Sequence, residues 1–329
     1  MQKIFFYLFL ITFGTFISAI LSFKNVEAIV KPFGIILYGT LFVWIVEILL
    51  TKQIKSWRTV YLYGVLFGFI IEAFSYKSIF FGLSREAFVV FDFAVFQAPF
   101  LIFVIHPLLS IMAPVYLMKT FFKVPFDLPK LVPTIVPVIG LSVYTFFFAA
   151  FFNVSEKILP RFWLSAAIVL IFLTLMQFFG KSKSLGLPDN FRKALGFITV
   201  LVYIFTYFTR PVIGGREIMF PNIITLLLAF IFLRFLFFLV KKRTPQNKVV
   251  IKEFNPEFST VRSAIVILVI SIISAAAVVL PIHPFIVSIS GFIIVTSAIF
   301  GTLFFFLAAI GTLVYARRDK QIESKNDIA

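Results

Sequence analysis

The sequence contains no cysteine and only two histidines, and 13% of its residues are charged. Without cysteine there is no disulfide framework, thiol nucleophile or Cys-ligated metal site, and two histidines leave little room for a histidine-rich metal centre. We therefore expect neither a metal nor a cofactor. The P-loop, HExxH, GxSxG and CxxC motifs are also absent, which removes the usual sequence signatures of nucleotide, zinc, serine-hydrolase and thiol-redox chemistry.

Apolar residues dominate what is present. Hydrophobic residues make up 61% of the 329, and 49 of them are phenylalanine, whereas soluble domains are roughly half apolar and one quarter charged. A soluble fold could not bury so much apolar surface, so lipid must surround most of the chain. The net charge is +16, but basic and aromatic residues do not alternate on a soluble domain, so we expect no nucleic-acid partner.

Apolar runs long enough to cross a bilayer recur along the whole chain. A membrane helix needs about 17 to 25 apolar residues, because it rises ~1.5 Å per residue through a hydrocarbon core of roughly 30 Å. We therefore predict an all-α, polytopic membrane bundle of about ten transmembrane helices. The predicted spans are residues 4–22, 32–50, 59–75, 96–118, 131–152, 162–179, 194–208, 218–240, 264–280 and 286–315.

Lysines and arginines are divided unequally between the two sides of this bundle. The termini and alternate connections hold 21 of the 30, the opposite connections hold 8, and Arg234 lies inside the eighth span. Positively charged loops resist translocation, so we expect both termini in the cytoplasm, with the chain in a prokaryotic cytoplasmic membrane. We expect one transmembrane domain over residues 1–315, followed by a polar cytoplasmic tail, 316–329. Within the domain, the basic cytoplasmic loop 241–263 should contact anionic lipids. A terminal helix hairpin, 264–315, follows that loop.

Two ionisable residues inside neighbouring spans are predicted to meet. Glu72 lies 14 residues beyond Arg58 and His106 lies 13 before Lys119, which puts both about 20 Å above the cytoplasmic edge. Glu72 continues a Gly64, Gly68 stripe of the kind that packs helices closely, so its carboxylate should point into the bundle. Pro107 and Pro114 leave backbone carbonyls without donors on the fourth span. The pair is either a functional site or a hydrogen bond that locks two helices.

Further polar residues are predicted to reach the same depth. Tyr144 and Tyr207 each lie 14 residues beyond a cytoplasmic lysine, and Tyr203, Tyr207 and Arg210 form one stripe at helical spacing. We predict that Glu72, His106, Tyr144, Tyr207 and Arg210 bind a substrate in an outward-opening polar cavity. Taken singly, the tyrosines are typical of interfacial anchors.

Two other polar features have simpler interpretations. Glu47 and Arg234 lie near the cytoplasmic ends of their spans and are predicted to form a structural ion pair, unless Arg234 extends to the headgroups instead. His283 lies between Pro281 and Pro284 in a turn that joins the last two spans. We expect that turn to be a tight outer hairpin and not a ligand site.

The segment "GFIIEAF", with Glu72, followed by "VIHPLL", with His106, resembles a pattern in uncharacterised polytopic prokaryotic membrane proteins. In those proteins a Gly-Trp-Leu-x-Glu-Gly helix precedes a Trp-His-Ala-Leu helix. The resemblance covers the third and fourth spans. It carries no activity, and it implies that Glu72 and His106 belong together.

Three functions are compatible with these observations. The leading hypothesis is a transporter or flippase-like carrier of a small or lipid-like substrate, in which Glu72 and His106 respond to protons and Arg210 attracts an anionic group. The first alternative is a membrane-embedded enzyme that acts on a lipid or isoprenoid, with Glu72 and His106 as acid and base. The second is a non-catalytic membrane scaffold, in which the polar residues pair off in a dry bundle.

Overall fold

The chain folds almost entirely into helices. A computed structural model describes residues 2–22, 35–81, 88–121, 124, 126–129, 136, 138–140, 143, 159–178, 189–209, 220–245, 260–279 and 284–326. Structural statements below concern these residues.

The first four labelled helices contain all the π-helical segments described. Helix α1 is Gln2–Ser22, and α2 begins as a π turn, Ile35–Gly39, and continues as the α-helix Thr40–Thr51. Helix α3 is the α-helix Trp57–Ile70 followed by the π turn Ile71–Ser75, and the short helix Ser78–Phe81 comes after it. Helix α4 starts with Gln97–Phe100, passes through the π segment Leu101–Met112 and ends with Ala113–Phe121.

The remaining long helices are regular. They are α5 (Leu159–Phe178), α6 (Asp189–Thr209), α7 (Ile223–Arg243), α8 (Thr260–Val279) and α9 (Pro284–Asn326). Helix therefore occupies every predicted span except the fifth, which lies mostly outside the described residues although residues 136, 138–140 and 143 are helical.

Two helix ends differ from the predicted boundaries. Helix α7 starts later than predicted because Asn222 is its N-cap and its side-chain oxygen accepts from the backbone N–H of Thr225 at 2.9 Å. Helix α9 continues to Asn326 through residues that we expected to form a tail, and the lysine, arginine and glutamate residues there favour helix intrinsically.

Four of the described helical stretches are long and apolar enough to cross a membrane. They are Trp57–Ser75, Gln97–Thr120, Ile223–Arg243 and Gly291–Val314. In the most apolar 18-residue stretch of each helix, the buried share of the residues is 83% in α3 and 72% in α4. The same share is only 28% in α7 and 22% in α9. Helices α3 and α4 therefore form the centre of the bundle, while α7 and α9 present much of their apolar surface outward.

Glycines on α3 allow it to lie directly against α4. A Cβ atom added at Gly68 would come within 2.6 Å of His106 Cβ and 2.9 Å of His106 Cδ2, and one added at Gly64 would overlap Pro107 Cα. Any side chain at either position would push the helices apart. The small-residue stripe therefore faces α4 at the level of His106, and it sets the closeness of the pair.

A tyrosine of α3 donates to a backbone carbonyl in the π segment of α4, one residue from the carbonyl that Pro107 deprives of a donor. Pro107 lies inside the π segment of α4, where backbone hydrogen bonds run from residue i to residue i−5, so its missing N–H removes the donor to the Ile102 carbonyl. The Tyr61 hydroxyl of α3 donates to the neighbouring Phe103 carbonyl at 2.9 Å. The distortion of α4 is thus stabilised by its neighbour, as required where water is scarce.

A small hairpin connects the central helices to α7. Strands β1 (Val89–Val90) and β2 (Phe93–Ala94) pair antiparallel, and the turn residues Phe91 and Asp92 have φ of 49° and 58°, as in a type I′ turn. The Asp92 carboxylate accepts from the Asn222 backbone N–H at 2.9 Å and from its side-chain amide at 3.0 Å. The hairpin tip therefore holds the start of α7.

Candidate functional site

The structure brings Glu72 and His106 into direct contact. Glu72 lies in the π turn of α3 and His106 in the π segment of α4, and the distance from His106 Nε2 to Glu72 Oε1 is 2.6 Å. The two residues are 5% and 4% exposed. The axial rise of a helix, ~1.5 Å per residue, predicts that both residues lie at one depth. The glycine stripe predicts that Glu72 faces α4.

Two buried serines complete the hydrogen bonding of the pair. Ser110 Oγ lies 3.2 Å from His106 Nδ1, one helical turn further along α4. Ser78 Oγ donates to Glu72 Oε2 and lies 3.4 Å from the Glu72 carbonyl oxygen. The chain reverses at Lys77, whose φ is 55°, and this returns Ser78 to the carboxylate. The sequence contains no signal for that contact, because it depends on the turn.

This arrangement can change its protonation state without losing hydrogen bonds. A hydroxyl both donates and accepts, so Ser110 can donate to a bare Nδ1 or accept from a protonated one. The Glu72 carboxylate accepts from both His106 Nε2–H and Ser78 O–H while it is ionised. The hydrogen-bond partners of the pair are therefore compatible with a neutral or a protonated imidazole.

An apolar groove of about 710 Å³ lies beside this pair. Helices α2 and α3 line one wall and α6 and α7 the other, with Trp44, Phe74, Tyr207, Leu226 and Phe237 among the lining residues. From Gly196 to Tyr207 on α6 the groove extends over 12 residues, about 16 Å. The sequence predicted a polar cavity containing Glu72 and His106, but this groove has an apolar lining and neither residue belongs to it, because both turn inward between α3 and α4.

The groove and the buried pair share structural elements. Phe74, which lines the groove, belongs to the same five-residue π turn as Glu72. Tyr203, on the opposite wall, donates from its hydroxyl to the Leu37 carbonyl at 3.0 Å. Leu37 belongs to the π turn of α2. A displacement of either π turn would therefore change the shape of the groove.

Aromatic rings and a buried lysine form one end of the groove. The Lys77 ammonium lies 4.9 Å from the ring centroid of Tyr207 and 5.0 Å from that of Phe220, and Phe74 packs on Tyr207 at 6.2 Å. Lys77 is 1% exposed, and burial lowers the pKa of its ammonium. The Tyr207 hydroxyl is buried and has no hydrogen-bond partner among the described residues. Tyr207 is one of the predicted site residues, whereas no sequence pattern indicates that Lys77 is buried.

The other predicted residues lie elsewhere or outside the described chain. Tyr144, Arg210 and His283 are not among the described residues. Glu47 is buried and accepts from the Tyr7 hydroxyl at 2.7 Å, whereas the Arg234 side chain is exposed on α7. The ion pair of Glu47 with Arg234 stays a prediction. Within the described part of the chain, no group of three Asp, Glu or His side chains could hold a metal ion.

Comparison with known proteins gives one match. A family model described as an uncharacterized membrane protein family matches residues 7–318, which is nearly the whole chain. Neither the curated proteins nor the solved structures contain a match. The matched region includes both π turns, the Glu72–His106 pair and all four walls of the groove.

Proposed function

The chain belongs to this uncharacterized membrane protein family, and from that premise we propose that it is a multi-pass, flippase-like carrier that holds a lipid-like substrate in the groove and responds to protons through Glu72 and His106. The observation that carries the proposal is the π turn Ile71–Ser75, in which Glu72 contacts His106 and Phe74 lines the groove. Single π turns within helices occur frequently at functional sites.

Proton uptake would act on the groove through this π turn. A buried carboxylate and imidazole attract each other most strongly when they carry opposite charges, and burial makes an unpaired charge costly. A change of protonation therefore changes how firmly α3 is held against α4 at the turn. Phe74 on one wall and Tyr203 on the other would transmit that change to the bound substrate.

The proposal includes a membrane topology. The chain would cross a prokaryotic cytoplasmic membrane ten times, with both termini in the cytoplasm, and its basic cytoplasmic loops would contact anionic lipids. One transmembrane domain, residues 1–315, would end in the hairpin 264–315. In this orientation Lys77 and Tyr207 lie at the outer end of the groove, and Gly196 and Phe237 lie near its cytoplasmic end.

The two alternative functions make different predictions. A lipid-modifying enzyme with Glu72 and His106 as acid and base needs its substrate beside those atoms, and neither residue lines the groove. An enzyme would produce a chemically altered lipid in expressing cells, whereas a carrier moves the lipid unchanged. A scaffold would move and alter nothing.

A lipid-translocation assay tests the carrier. Purified protein would be reconstituted into vesicles containing a fluorescent lipid, and the outward-facing fraction would be followed by chemical quenching at pH 5.5 and pH 7.5. The wild type should translocate lipid at rates that differ between the two values, and Glu72→Gln and His106→Ala should abolish that difference. His106→Gln is a second variant for the case in which alanine unfolds the protein.

Glu47→Gln is the matched control, because Glu47 is also a buried carboxylate with a hydrogen-bonding partner, the Tyr7 hydroxyl, but belongs to α2. Its pH dependence should equal that of the wild type. Translocation that is absent in the wild type, or a pH difference that survives in the folded Glu72 and His106 variants, would reject the proposal.

A further inference from the structure

We infer that the β1–β2 hairpin inserts its exposed aromatic face into the membrane leaflet at the N-terminal end of α7. In the proposed topology this is the outer leaflet. The partner of this surface is lipid and not a second protein. Because the hairpin is hydrogen-bonded to α7, the insertion fixes the depth at which the α7 wall of the groove begins, whatever the groove carries.

The exposed face of this hairpin is apolar throughout. Residues 88–96 read FVVFDFAVF, so Asp92 is the one polar side chain among them. Phe91 is 86% exposed and Phe88 is 62% exposed. Five exposed apolar side chains form what we call the hairpin patch: Phe88, Val90, Phe91, Phe93 and Phe96. A strand edge that faces water normally carries charge, and an exposed apolar patch marks contact with a partner or a membrane.

The other face of the hairpin packs on the protein. Paired residues of neighbouring strands lie on the same face of a sheet. Ala94 is buried and its partner Val89 packs on the core, whereas the pair Val90 and Phe93 is exposed. The hairpin therefore has one face held by the protein, and the hairpin patch is turned outward.

Phe91 occupies its position against the local preference of the turn. Type I′ turns favour Asn, Asp or Gly because both central residues have positive φ, and a bulky side chain with positive φ is an outlier. Phe91 is nevertheless the first central residue, with φ of 49°. Strained backbone of this kind clusters at functional sites. Since the ring is also mostly exposed, neither turn chemistry nor packing explains it, and a contact outside the protein does.

The N-terminus of α7 sets the level of the hairpin patch. Asn222 is the N-cap of α7 and donates to Asp92 at the hairpin tip. The next two residues, Ile223 and Ile224, are exposed, and α7 is long and apolar enough to cross a membrane. Lipid must cover those isoleucines from the first turn of the helix. The hairpin patch therefore lies beside a surface that is already covered by lipid.

The polar groups of the tip are satisfied within the protein. The Phe91 carbonyl accepts from the Thr225 hydroxyl at 2.7 Å, and the Asp92 carboxylate accepts from Asn222. Such internal pairing is required where water is scarce.

The insertion must be shallow, however, because a two-stranded sheet has free edges that the hydrocarbon core does not tolerate. Phenylalanine has no polar atom to hold at the headgroups, in contrast to the tyrosine and tryptophan of interfacial belts. The rings of the hairpin patch should therefore lie just below the headgroups, about 5–10 Å deep, as in interfacial helices.

Site-directed spin labelling tests this contact, because the chain contains no cysteine and an introduced cysteine carries the only label. Full-length Phe88→Cys and Phe91→Cys would be labelled with a nitroxide and reconstituted into phosphatidylcholine vesicles. Power saturation of the paramagnetic resonance signal compares collisions with oxygen, which concentrates in hydrocarbon, and with a water-soluble nickel chelate. At both positions oxygen should be the more effective reagent, with a label depth of about 5–10 Å below the phosphates.

Two exposed positions are the matched controls. Ile231→Cys, at an exposed residue near the middle of α7, should be more accessible to oxygen than either hairpin position. Lys55→Cys, at an exposed lysine in the loop after α2, should be accessible mainly to the nickel chelate. The thermal midpoint of each labelled variant in detergent should equal that of the wild type, and Val90→Cys replaces either hairpin position if its midpoint falls.

Accessibility to nickel at both hairpin positions equal to that at Lys55 would overturn the inference, since the hairpin would then lie in water. Low accessibility to both reagents at both positions would overturn it as well, because protein and not lipid would then cover the hairpin patch.

Discussion

Alanine at Gly68 should destabilise the protein, although alanine is a better helix former than glycine. Gly68 lies on the face of α3 that packs on α4, and an added Cβ would come within about 3 Å of three His106 atoms, the nearest at 2.6 Å from His106 Cβ. Real Cβ contacts at such distances force a shift of the neighbour. Here the neighbour is the imidazole hydrogen-bonded to Glu72.

The expected magnitude follows from two opposing contributions. Replacing glycine with alanine inside a helix favours folding by about 1 kcal/mol, while overpacking a close contact costs about 1–3 kcal/mol. Gly196 on α6 is the matched control, because nothing lies within 4 Å of a Cβ added there. Gly196→Ala should therefore be stabilising by up to ~1 kcal/mol, and Gly68→Ala should be less stable than Gly196→Ala by roughly 1–3 kcal/mol.

Thermal unfolding in detergent micelles, followed by intrinsic tryptophan fluorescence, measures the difference. Trp57, at the start of α3, donates from its ring N–H to the Pro129 carbonyl at 2.8 Å and packs on Tyr116, so its emission should report separation of α3 from α4. A midpoint for Gly68→Ala equal to or above that of Gly196→Ala would refute the close packing of α3 on α4 at His106.

Three further predictions concern the elements that support the site. Tyr61→Phe should lower the thermal midpoint by removing the hydrogen bond to the Phe103 carbonyl, at a cost of about 0.5–1.5 kcal/mol, and an unchanged midpoint would contradict the hydrogen bond seen at 2.9 Å. Asn222→Ala should lower the free energy of unfolding by about 1 kcal/mol, because α7 loses its N-cap. Asn222→Ser should keep the cap and lose the side-chain amide contact to Asp92. Equal midpoints of these two variants would show that the cap contributes nothing. Gly64→Ala should destabilise in the same assay, since its Cβ would overlap Pro107, and a wild-type midpoint would contradict that contact.

The contact of Glu72 with His106 could be predicted because helical geometry is simple. The axial rise gives the depth of each residue from the nearest charge, and the four-residue spacing of Gly64, Gly68 and Glu72 gives the direction in which the carboxylate points. The serine at position 110 follows from the same helical spacing. Ser78 does not, because it reaches Glu72 only after a reversal at Lys77 with positive φ.

The form of the cavity could not be predicted by the same reasoning. Tyr207, Glu72 and His106 reach one depth, and depth is the reason for predicting one shared cavity. Depth alone leaves the rotation of each helix and its neighbours undetermined. In the structure Tyr207 packs on Phe74 at the side of an apolar groove, while Glu72 and His106 turn toward each other between α3 and α4. Lys77 was overlooked because a lysine after an apolar span normally extends into water, whereas this one packs against Tyr207 and Phe220.

The sequence by itself determined that lipid is the main solvent and that the chain is helical, because no water-soluble fold buries so many apolar residues and lipid leaves backbone groups no partner outside the helix. It also determined the level at which Glu72 and His106 lie and the face that Glu72 occupies. Only the tertiary structure decided the 2.6 Å contact between them, the apolar groove, and the packing of Lys77 on the Tyr207 ring. These features depend on which helices are neighbours and how each is rotated, and local periodicity does not encode either property.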